Sequence, residues 1–114
     1  MNELKFNSQV CTTKEQSQHL LDLGLEPETA DMEIEICKTD YSITGYVSKR
    51  YWEPEISEGL VELIPAWSLH RLMEIGNFVN VAFLDVNKAY KVCIDNIEEQ
   101  IRFGIINKEY LISK

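Results

Sequence analysis

The sequence predicts an α+β fold: a small antiparallel sheet of about three to five strands packed against about three helices. Three stretches carry that reading. Residues 64–76 read as a helix, with Pro65 in the first turn and Gly76 as a left-handed stop. Ala66, Leu69, Leu72 and Met73 then form an inward stripe, and Trp67, His70, Arg71 and Glu74 take the other side. Met32-Glu33-Ile34-Glu35-Ile36-Cys37 alternates apolar and charged residues, as a strand with one wet face does. Phe78-Val79-Asn80-Val81-Ala82-Phe83-Leu84 is β-branched and aromatic, which predicts a central strand.

The remaining elements follow in order. Residues 4–10 read as a short strand or extended lead-in. Thr12 and Glu15 have capping-box spacing for a helix that stops at Gly24, with Thr13, Ser17, Leu20, Leu21 and Leu23 as a thin buried stripe. Residues 27–31 form a turn or one helical turn after Pro27. Tyr41-Ser42-Ile43-Thr44-Gly45-Tyr46-Val47 pairs back on the 32–37 strand, and Gly45 marks a bulge or close backbone approach. Residues 48–63 hold Trp52, Pro54 and four glutamates without a period and read as a long loop. Asp85 to Lys88 reads as a hairpin turn, with residues 89–94 as its returning strand. Asn96 and Glu99 then open a last helix carrying Ile97, Ile101, Gly104, Ile105 and Leu111. Phe103, Ile106 and Tyr110 form a second apolar strip.

A chain of 114 residues reads as a single domain, 1–114. Eleven Lys and Arg against nineteen Asp and Glu give a charge of −8. That argues against a phosphate-backbone binder and suits steering of a basic partner. Three scattered cysteines without a CxxC motif, no signal-like opening and no apolar run of bilayer length place the chain in a cytoplasm, away from membranes.

Phe6-Asn7-Ser8-Gln9-Val10-Cys11-Thr12-Thr13-Lys14-Glu15-Gln16-Ser17, Leu20-Leu21-Asp22-Leu23-Gly24-Leu25-Glu26-Pro27-Glu28-Thr29-Ala30-Asp31-Met32 and Ile64-Pro65-Ala66-Trp67-Ser68-Leu69 resemble a family of small uncharacterised proteins of gut anaerobes, often carried by phages or other mobile elements. The likeness spans the first third and the 64–76 helix, touches Asp95-Asn96, and leaves out residues 33–63. It implies a compact intracellular domain and transfers no catalytic residue.

Each candidate site has a plainer reading beside it. Trp67, His70, Arg71 and Glu74 offer a binding face, since Trp and Arg are enriched at hot spots; alternatively Trp67 covers the core edge and Arg71 shields it. His19 between Glu15 and Asp22 resembles an acid/base unit or half a metal site, and also a solvated cluster. The acids Glu28, Asp31, Glu33, Glu35, Glu53, Glu55, Glu58 and Glu62 lack the spacing of a cation site. Tyr41, Tyr46, Tyr51 and Trp52 beside Lys49 and Arg50 could stack single-stranded nucleic acid, against which the neighbouring acids argue. Cys11 before a helix start favours a thiolate, without a histidine partner. No GxGxxG, P-loop, HExxH or GxSxG occurs.

The sequence therefore predicts a non-enzymatic protein-interaction or accessory domain with no cofactor or metal. Contact would run through Trp67, His70, Arg71 and Glu74, or through Trp52 and the 48–63 loop. The alternatives are a small-molecule binder or small enzyme with a cleft beside that loop, and a subunit that self-associates through Phe103, Ile106 and Tyr110.

Overall fold

In a computed structural model, the described residues are 9–48, 61–77 and 85–112. They form an α+β fold in which a three-stranded antiparallel sheet packs against three α-helices. The strands are β1 (Met32–Cys37), β2 (Ile43–Ser48) and β3 (Val61–Ala66), in the order β2-β1-β3. The helices are α1 (Lys14–Asp22), α2 (Leu69–Ile75) and α3 (Val86–Arg102). The expected 78–84 strand, the lead-in 4–8 and the 49–60 part of the loop lie outside the described residues.

Helix α1 starts one residue later than the spacing of Thr12 and Glu15 predicts. Thr13 is the cap: its hydroxyl accepts from the Gln16 amide at 3.1 Å, and the Gln16 side chain accepts from the Thr13 amide at 3.0 Å. Thr12 is unavailable for that role because the core uses it. Its N–H donates to the Trp67 carbonyl at 2.8 Å, while its hydroxyl accepts from the Trp67 N–H at 3.0 Å and lies 2.7 Å from the Ser17 hydroxyl. Gly24 ends the segment at φ 98, as the sequence predicts.

Strand β1 is central and alternates as expected, with Ile34 and Ile36 buried on one face. The hairpin to β2 slips register between Glu35 and Ile36, where Glu35 opposes Gly45 and Ile36 opposes Ile43. Thr44 is thus the extra residue of a bulge beside Gly45, the irregularity the sequence anticipates.

Two expectations need correction. Residues 64–66 belong to β3, not to a helix, and Pro65 faces Glu33 across the ladder. Proline fits an outer strand as well as a first helical turn, and it biases the residue before it toward extended backbone. Ser68 is the true cap of α2, accepting from the Arg71 amide at 3.2 Å. Leu72 and Ile75 are buried, with Leu69 and Met73 packed beside them, so the inward stripe survives in the shorter helix. Gly76 is not left-handed: its φ is −83, and Asn77 takes the positive φ of 58. Glycine leaves room there for the Asn96 amide, whose Nδ2 would lie 2.7 Å from a Cβ.

The second correction is the expected hairpin at 85–94, which is the first half of α3. Asp85 caps it, accepting from the Lys88 amide at 2.9 Å. The alternation of Tyr90, Val92 and Ile94 suggested a strand. The stripe that decides is Ala89, Tyr90, Cys93, Ile94 and Ile97, all buried at helical spacing. Asp95 and Asn96 are interior residues of α3, not its start. The helix ends before Gly104 at φ 71, so Gly104, Ile105 and Leu111 fall beyond it, and Leu111 bridges to Leu25.

Two apolar cores result. The larger gathers Leu20, Leu25, Trp67, Leu72, Tyr90 and Ile97 among the helices. The smaller, under the sheet, holds Cys11, Ile34, Ile36 and Ala66. No helix among the described residues is long and apolar enough to cross a membrane.

Candidate interaction surface

The four residues predicted to share a binding face do not do so. Trp67 is fully buried, against expectation, and its indole N–H donates to the Thr29 hydroxyl at 2.9 Å. Its side changes because α2 begins after it, so helical spacing never applied to it. Arg71 donates to the Thr29 carbonyl at 2.9 Å and sits 3.5 Å from Glu74, which also takes His70 at 3.3 Å. His70, Arg71 and Glu74 are a surface ion cluster, the type that contributes little in water. Trp52 lies outside the described residues.

Around Trp67 the polar bonds are dense. The Asp31 carboxylate accepts from the Ser68 amide at 2.8 Å and from its hydroxyl at 2.6 Å. The Tyr90 hydroxyl accepts from the Leu69 amide at 3.1 Å. Burial pushes that hydroxyl's pKa up to about 12, and the nearby Cys11 and Asp31 add to the effect. Burial, then the Asp31 charge, pushes Cys11 up to about 11. A neutral thiol replaces the expected helix-start thiolate. Burial also raises Cys93, and all three cysteines are free.

His19 pairs with Glu98 of α3 at 2.9 Å rather than with Glu15 or Asp22. It borders a cleft of about 420 Å³ between α1 and α3, floored by Ile94. A second cleft, about 640 Å³, is polar, and its wall includes Asn96 and Gln100, whose amides both donate to the Gly76 carbonyl at 3.1 and 2.8 Å. No residue of 48 or 61–63 lines either cleft among the described residues. Among those residues no three His, Cys, Asp or Glu side chains gather as a metal group.

Apolar side chains are left in water at Phe103 and Ile105, and as a group on the β1–β2 hairpin. On the β1–β2 hairpin, Tyr41 is 72% exposed, Tyr46 50% and Ile43 46%. Tyr46 opposes Ile34 and Ile43 opposes Ile36, so both continue the face that buries the small core. Among the described residues the helices pack chiefly on one another and on β3. Asp40 shapes the turn by accepting from the Ser42 hydroxyl and amide at 2.7 and 3.0 Å, which holds its carboxyl below the usual range.

The two outer strands differ. Strand β3 carries Glu62 and Pro65, residues that blunt an exposed edge. Strand β2 carries neither charge nor proline in six residues. Sequence reasoning singled out Tyr41 and Tyr46 as aromatics but not Ile43. The missed signal was the uncharged composition of 43–48 beside two charged neighbours. Of the predicted apolar strip, Ile106 is buried and Tyr110 packs on the larger core, while Phe103 is exposed beside Ile105. No protein-family model matches this chain, and neither a curated protein nor a solved structure matches it.

Proposed function

We propose that the chain is a non-enzymatic protein-interaction domain that binds through the outer edge and inner face of β2. The observation that carries this reading is the exposure of Ile43 and Tyr46 on an uncharged outer strand, with Tyr41 exposed in the turn that leads into it. An unblunted strand edge accepts another extended segment, its backbone giving affinity and its side-chain pockets selectivity. An accessory role in a phage or mobile element is supported by the sequence resemblance alone. Three free cysteines support a reducing cytoplasm.

The test is affinity capture from the source organism's lysate with wild-type and Ile43→Thr/Tyr46→Ser baits. The double variant is expected to lose the partners while keeping its circular dichroism spectrum. An identical partner set overturns the reading. The rival enzyme or ligand binder has weaker support, because the groups with displaced proton affinity, Cys11, Asp40, Tyr90 and Cys93, line neither cleft. Light scattering of the purified chain tests self-association.

A further inference from the structure

The chemistry of the docking segment can be read from the residue that crosses Gly45. Glu35 of β1 opposes Gly45 of β2, and the Glu35 Oε2 atom lies 3.5 Å from where a Cβ on Gly45 would sit. With no side chain at position 45, the carboxylate rests over the strand backbone and points charge toward the outer edge. Glu35 has no ion-pair partner among the described residues. On the opposite face of the same strand stand Ile43 and Tyr46, apolar and half exposed. A strand added about 4.8 Å beyond β2 therefore meets a carboxylate on one face and an apolar surface on the other.

Resting on the interaction reading above, we propose that the partner is an extended segment with alternating character. Its apolar residues cover Ile43 and Tyr46, and a Lys or Arg on its other face reaches over Gly45 to Glu35. Charge decides against a second copy of this chain. Strand β2 has no basic residue to offer, and a two-fold pairing brings a second Glu35 onto the same seam between chains of net charge −8. The side of β2 away from β1 bears no other strand among the described residues.

The experiment uses a phage-displayed library of random decapeptides selected on the full chain, and in parallel on its Glu35→Lys and Tyr46→Ser variants. Amide spectra first establish that each variant keeps the fold. Peptides selected on wild type are expected to alternate, to carry Lys or Arg, and to bind Glu35→Lys about tenfold more weakly. Selection on Glu35→Lys is expected to enrich Asp or Glu at the same peptide position. Glu35→Gln, which keeps the shape, is expected to fall between them. Peptides that need Tyr46 but ignore the charge at position 35 overturn the basic partner and leave the interaction reading standing. A selection with no dependence on Tyr46 overturns both.

Discussion

Two regions of this molecule treat their aromatic residues in opposite ways. At the strand-to-helix junction, Trp67 is sealed in and bonded through its backbone and its ring to residues far away in sequence. On the β1–β2 hairpin, Tyr41 and Tyr46 stand in water, Tyr46 beside the buried Ile34 and Tyr41 in the turn. The difference teaches that aromatic content alone does not locate a contact surface. The residue to test is an aromatic that the chain's own polar groups have left uncovered.

Substitutions that separate the two regions should do so on a scale of stability. Trp67→Ala opens a cavity and strands the Thr29 hydroxyl, and should cost about 3–5 kcal/mol in urea unfolding. Equal tolerance of Trp67→Ala and Tyr46→Ala would erase the contrast. Thr12→Val keeps the shape but leaves the Trp67 N–H unpaired, so a loss of about 1–3 kcal/mol is expected.

Alkaline pH probes the same junction. Cys11 goes from an ordinary value of 9.0 to about 11 in the folded protein, and Tyr90 from 10.0 to about 12. The folded state thus holds protons that the unfolded state releases. The stabilisation is complete below about pH 9 and is lost as pH climbs through 11 to 12. For Cys11 it amounts to about 2–3 kcal/mol. Denaturation midpoints at pH 8 and pH 10.5 should differ for wild type, and less for Cys11→Ala.

Gly76→Ala should cost about 1 kcal/mol, because the Asn96 amide must swing away from the new methyl and give up its bond to the Gly76 carbonyl. A double-mutant cycle with Asn96→Ala should show coupling between the two sites. The smallest effect belongs to the hairpin. Tyr46→Ser should alter stability by less than about 1 kcal/mol while removing partner capture, which would mark the ring as kept for something other than folding.

Much of the fold was legible. The strand at 32–37, its hairpin partner, the bulge at Gly45 and the helix ending at Gly24 all followed from local chemistry. The failures have identifiable causes. Pro65 carries the same signal in a first helical turn and in an outer strand, so only the ladder with β1 could decide between them. Tyr90, Val92 and Ile94 alternate like a strand, yet a 17-residue amphipathic helix buries more of them with their neighbours. Thr12 looks like a cap until Trp67 claims it. On the hairpin proposed as the interaction surface the tyrosines were visible in sequence, whereas the Glu35–Gly45 contact required knowing the register between strands.

The spread of the Trp67 junction along the chain has a consequence for synthesis. Its bonds draw on residues 12, 29, 31 and 90. All three described strands have left the ribosome once residue 66 emerges, but α3 follows only later. The sheet and the smaller core beneath it can form while the larger core still lacks the residues of α3. During that interval Leu20, Leu25 and Trp67 wait for Tyr90 and Ile97, and oily surface of that kind is what makes a half-made chain prone to aggregate.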